Sequence, residues 1–183
     1  MANPPILDEM WAILGPVDIK DFEVVAGAAE AERFDAYEAR LGFKLPDAFR
    51  DLSLSKLGGV YVTAREEHWP EAKLYDVGPA WTFWRGVMVF GLAPDVPDWL
   101  NLEVMLDRVR EQEISDFAPV LKVEGDSRLY GFRPDQTVAV FDGYELEDES
   151  AESFAALYRR EIGDLLERFA DMKALQAKRA RKG

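Results

Sequence analysis

The chain has no cysteine among its 183 residues and only one histidine, His68. Without thiols there is no disulfide framework, no thiolate nucleophile and no cysteine-ligated metal. A single imidazole leaves little for general acid–base chemistry. Ser–His–acid catalysis through His68 would need a nucleophile, and no Gly-x-Ser-x-Gly motif announces one. A Gly-rich phosphate loop and a His-Glu-x-x-His motif are also missing from the sequence. No apolar run approaches the roughly 18 residues that span a bilayer. The opening MANPPILDEMWAILG carries Asp8 and Glu9 where a secretion signal would carry basic residues. These absences lead us to expect a non-enzymatic, cytoplasmic protein with no cofactor and no metal.

Positive charge is scarce as well: 22 Lys and Arg stand against 35 Asp and Glu, a net charge of −13. The distribution is uneven, because Lys173, Lys178, Arg179, Arg181 and Lys182 follow the last acidic residue, Asp171. The body before them is therefore more acidic still. Such a surface repels nucleic-acid phosphates and anionic membranes and attracts basic proteins. The tail 173–183 reads as a solvated helix end, where cations are favoured by the helix dipole. A hydrophobic share of 48% over this length suffices for one core. The expected organisation is a single domain over 1–172, opened by a helix over 5–14, with the basic tail appended.

Periodicity places the elements. Ile6, Met10, Ile13 and Leu14 mark the first helix, ended by Gly15-Pro16. Phe34, Tyr37, Glu38 and Leu41 mark a second over about 28–41, with Gly42 as its left-handed stop. Pro46 opens a third, which Phe49, Leu52, Leu54 and Leu57 carry to Gly58-Gly59. Strands are predicted over 60–63, 81–91, 118–124, 127–132 and 137–141, the third and fourth joined by a Gly125-Asp126 turn. A helix over about 102–113 separates the second strand from the third. The strongest helical pattern runs from Phe154 through Leu157, Tyr158, Ile162, Leu165, Leu166 and Phe169 to Met172. The order predicts an α+β domain with a mostly antiparallel sheet of five to six strands.

The same residues, in this order, resemble the SUKH superfamily, which includes bacterial toxin-immunity proteins and fungal regulators of the Smi/Knr type. The likeness rests on YEARLGFKLPDAFRDL, with Glu38, Leu41, Gly42, Leu45, Pro46 and Phe49, and on Gly58-Gly59 before a strand. Phe90-Gly91 ending a strand continues it, as do Gly125-Asp126 and an acidic loop before Ser153-Phe154 opens the last helix. Together these cover roughly residues 28–169. The chain departs from the family in carrying Leu57, where a polar residue commonly precedes Gly-Gly, and in shortening the later turn to Glu124-Gly125-Asp126. The resemblance implies an immunity protein that binds and neutralises a cognate toxin, a basic nuclease domain among the candidates, by stoichiometric occlusion. It also leaves open a regulatory or scaffolding adaptor for an endogenous protein. A monomer or weak homodimer is expected in either case.

DGYELEDE, residues 142–149, has the carboxylates for a hard cation, but Tyr144 and Leu146 fall where a calcium loop needs ligands. Asp142, Glu145, Glu147, Asp148 and Glu149 are instead candidates for contact with a basic partner. The competing reading of these five is solvation plus negative charge near a helix N-terminus. Trp69 and Trp84 are the candidate aromatic anchors, since tryptophan dominates binding hot spots when exposed and core packing when not.

Overall fold

Glycine and proline set the boundaries from which the rest follows. The computed structural model describes residues 4–69, 84–151 and 153–181. Helix α1 spans Pro5–Leu14 and opens on proline, whose missing N–H costs nothing there. After strand β1, Phe22–Val25, helix α2 spans Ala31–Leu41 and stops on Gly42. Gly42 sits at φ +91°, and its N–H closes the helix on the Glu38 carbonyl. Helix α3, Asp47–Ser53, starts after Pro46 and is shorter than the periodicity predicts, because Ser55 and Leu57 turn out of it. Leu57 is nonetheless buried, so an apolar residue there extends the core.

Gly58 and Gly59 are required by close approach. A Cβ on Gly58 would lie 2.3 Å from the Ser53 carbonyl oxygen, and one on Gly59 would lie 2.9 Å from the Gly91 Cα. The Gly58 carbonyl also accepts the Gly27 N–H at 2.7 Å, tying the end of β1 to this turn. Strand β2 follows at Tyr61–Ala64, then a short 3-10 turn at Glu66–His68. Strand β3 spans Gly86–Val89. The predicted long strand 81–91 is thus corrected at its start: Trp84 precedes β3, and residues 81–83 lie outside the described residues. Helix α4 covers Leu102–Arg110, with the Asn101 side chain accepting the Glu103 N–H at its start. It ends before the predicted 113.

Strands β4 (Ala118–Val123), β5 (Leu129–Phe132), β6 (Val138–Phe141) and β7 (Leu146–Asp148) complete a seven-stranded sheet in strict sequence order, antiparallel throughout. The five to six strands expected from sequence become seven because β1 and β7 hide from pattern reading. Strand β1 buries only Phe22 of its four residues, and β7 is acidic. Both exist because a neighbouring strand offers its free backbone groups, which overrides side-chain propensity.

Helix α5, Phe154–Ala180, opens on the Ser153 hydroxyl, which accepts the Ala156 N–H. It runs across the sheet from the β7 end to the β1 end. Arg160 near its start bonds Glu149, just after β7, while Phe169, about two and a half turns further on, packs on Phe22 of β1 with ring centroids 4.7 Å apart. The main core draws buried residues from all five helices and from the sheet. Alternation along β6 sends Val138 and Val140 into it and sends Ala139 and Phe141 to a smaller cluster with Val109 of α4 and Phe117.

The residues of the LGFKLP stretch are fasteners. Leu41, Leu45 and Phe49 are buried, and the Glu38 carboxylate, 3% exposed, accepts the Leu45 N–H at 2.9 Å and pairs with Lys44 at 2.6 Å. Phe49 and Phe154 meet edge to face at 5.3 Å. At the second turn, Gly125 stands at φ +92° and Asp126 accepts the Arg128 N–H and pairs with its guanidinium at 2.6 Å. Burial opposes the charge on Asp126, yet the bonds from Arg128 outweigh it and hold the carboxyl below its ordinary value.

Candidate functional site

Asp142-Gly143 turns β6 into β7. The Asp142 carboxylate accepts the N–H groups of Tyr144 and Glu145 at 2.8 and 2.9 Å, and Gly143 supplies the φ of +103° that the turn needs. Those two N–H groups, Glu145 first, lower the Asp142 pKa. Asp142 is therefore spent on shaping the hairpin. Past the turn, Leu146 is the only residue of β7 that packs inward, against the Phe117–Phe141 cluster. Register pairs Glu147 with Val140 and Asp148 with Ala139.

The other carboxylates divide in two. Asp148 reaches Arg133 at 3.2 Å, and the same guanidinium bonds the Leu146 carbonyl. Glu149 binds Arg160 at 2.7 Å, and that arginine also holds the buried Glu161 at 2.8 Å. The Arg160 guanidinium keeps the Glu149 carboxyl below its ordinary range, against the cost of burial. Glu145 and Glu147 are exposed and form no ion pair among the described residues. Beside them stands Tyr144, 91% exposed at the hairpin tip.

The outcome is a β-hairpin whose turn presents one aromatic ring beside carboxylates that form no ion pair, leading into a strand that is outermost in the sheet among the described residues. An arrangement of this kind attracts a cationic surface over distance and offers it a flat apolar anchor on contact. Sequence reading placed the five carboxylates here but passed over Tyr144. The signal that finds it is the Asp-Gly pair 142–143 between TVAVF and YELED, a turn signal flanked by alternation. Acidic residues in the second arm mask that alternation.

The tryptophans lie elsewhere and are occupied. Trp69 is half-buried, donates its Nε1–H to the Ala64 carbonyl at 3.0 Å, and carries the Arg85 guanidinium 3.8 Å above its ring. Trp84 is half-buried over Gly125, its carbonyl accepts the Arg168 Nε–H at 3.2 Å, and the Arg168 guanidinium stands 5.8 Å from its ring. Neither joins the acidic hairpin. Arg85 also belongs to a second polar cluster: its guanidinium pairs with Glu124 at 2.8 Å, and Glu124 accepts the Tyr61 hydroxyl at 2.8 Å. Burial, more than any neighbour, pushes the Tyr61 pKa up to about 12. Glu124 joins Arg85 and Tyr61 in this cluster, which braces β2, β3 and β4.

His68 is also built into packing. Its Nε2 is 3.2 Å from an Asp21 oxygen and its ring stands edge-on to Phe169 at 5.5 Å. A cleft of about 360 Å³ opens beside β1, walled by Val25, Gly27, Gly58, Gly59, Gly91 and Pro97; Asp95 is the only charged residue on its rim. Among the described residues, no group of three or more His, Asp or Glu side chains is placed to hold a metal ion, and no helix is long and apolar enough to cross a membrane. No protein-family model matches the chain, and a search of curated proteins finds none similar to it.

Proposed function

We propose that this chain is a cytoplasmic, non-enzymatic immunity protein with a SUKH-type fold that binds a basic toxin domain through its β6–β7 hairpin and blocks it by occlusion. The observation behind this reading is Tyr144, 91% exposed and flanked by the unpaired Glu145 and Glu147 on an edge strand. A fully exposed aromatic costs solubility and adds nothing to the core. At an interface the same ring is a rigid anchor of low entropy cost, and the surrounding carboxylates accelerate encounter with a cationic cleft. Occlusion needs no catalytic group, in keeping with a chain whose single histidine is committed to packing.

The helix punctuation by Gly42, Pro46, Gly58-Gly59 and Gly125-Asp126 supports the family resemblance as a set of folding devices. On this reading, binding belongs to surfaces outside those motifs. The test is to co-express the chain with the products of its flanking genes and look for one that is toxic alone, tolerated in its presence, and co-eluting with it. Replacing Glu145 and Glu147 by Gln together with Tyr144→Ser is expected to abolish co-elution and protection. Protection that survives this triple change would sink the reading.

A further inference from the structure

The last turns of α5 stand largely clear of the core. Every residue from Lys173 to Ala180 is exposed, Leu175 at 48%, over about 12 Å of helix. Lys173 reaches back to Asp21 at 3.1 Å, but Lys178, Arg179 and Arg181 pair with no carboxylate among the described residues. Three neighbouring cations suit a helix C-terminus but repel one another. A surface of opposite charge would stabilise this arm. One such surface, the β6–β7 hairpin with its unpaired Glu145 and Glu147, is out of the arm's reach: β7 and β1 are the two outer strands, and α5 passes from one to the other.

We infer that the arm's partner is the hairpin of a second copy. Because arm and hairpin lie at opposite ends of the molecule, an antiparallel two-fold pair brings each arm onto the other chain's hairpin. Both docks are then filled and neither is left to propagate a filament. Lys178, Arg179 and Arg181 face Glu145 and Glu147, and Leu175 supplies an apolar contact for Tyr144. Exposed ion pairs of this kind are individually weak and screened by salt, so the dimer is weak and salt-sensitive. Its consequence is regulatory: the arm shields the hairpin, and any tighter basic ligand of the hairpin displaces it. The dimer depends on these two surfaces alone and stands or falls independently of the immunity reading.

Sedimentation velocity of the full chain, from micromolar to near-millimolar concentration at low and high salt, reads the equilibrium directly. The wild type is expected to dimerise reversibly, and less so in high salt. Reversing the arm (K178E, R179E, R181E) or the hairpin (E145K, E147K) should each weaken the dimer by about tenfold or more. Mixing the two variants should restore association, because the reversed arm then meets the reversed hairpin and the unaltered arm meets the unaltered one. Matching far-UV circular dichroism and melting curves establish that both variants are folded. A wild type that stays monomeric, a dimer that survives both reversals, or a mixture that fails to associate would each overturn the inference. So would a monomeric wild type whose arm retards a single-stranded oligonucleotide, which would assign the arm to nucleic acid.

Discussion

The two outer strands of the sheet are held in opposite ways. Strand β1 is fastened by packing, with Phe22 buried against Phe169 and the strand end tied to the Gly58 carbonyl. Strand β7 is fastened by charge, through Arg133 to Asp148 and through Arg160 to Glu149. Their outward surfaces differ to match: Val24 and Val25 are left partly exposed on β1, while β7 carries carboxylates and Tyr144. Charge on an edge strand deters indiscriminate strand pairing and still admits a partner of the right sign. The contrast teaches that the β7 edge is shaped by charge, whereas the β1 edge is shaped by packing.

The comparison breaks most sharply at Phe22. Phe22→Ala removes the only buried side chain of β1 and is expected to cost about 3–4 kcal/mol, read as a lowered midpoint of urea unfolding. At the other end, Arg160→Ala strands Glu149 and the buried Glu161 together, for about 2–3 kcal/mol. This loss should depend on pH in a definite direction. The Glu149 pKa is lowered in the folded state, so the stability it lends is complete above its ordinary value of 4.5 and disappears as pH falls through the lower folded value. The gap between wild type and Arg160→Ala should therefore close in acid. Amide exchange should show β6 and β7 losing protection there before β1 and β2 do. Equal loss at both edges would argue against the division.

Much of this was legible in the sequence, and the failures share a cause. Helices α1, α2 and α5 announce themselves through long 3.6-residue periodicity, and Gly42 and Pro46 mark true boundaries because each residue type suits only that backbone position. Strands β1 and β7 escape notice because each buries a single residue, leaving no alternation to read. The five carboxylates of 142–149 were found by composition, but composition could not separate Asp142, Asp148 and Glu149, bound within the molecule, from Glu145 and Glu147, which are free. That sorting depends on arginines distant in sequence, Arg133 and Arg160. The surroundings of Trp69 and Trp84 escape the sequence for the same reason: Arg85 and Arg168 lie against them, and only the fold brings those cations near.

Smaller changes sharpen the comparison. Gly143→Ala forces a side chain into a φ of +103° and should cost about 1 kcal/mol while loosening only the hairpin, visible as amide exchange confined to β6 and β7. Tyr144→Ser should leave the unfolding midpoint within about 0.5 kcal/mol of wild type, because a side chain so exposed contributes nothing to the core.

Binding decides whether the β7 edge does what its surface suggests. The measurement is the affinity of the co-eluting basic partner, at two salt concentrations, for three proteins: the wild type, a hairpin variant with Glu145→Gln, Glu147→Gln and Tyr144→Ser, and a β1-edge variant with Val24→Thr and Val25→Thr. The hairpin variant should bind at least about tenfold more weakly with a flatter salt dependence, and the β1 variant should match wild type. Unchanged affinity in the hairpin variant, or a loss that follows the β1 variant instead, would contradict the assignment of the acidic edge as the binding surface.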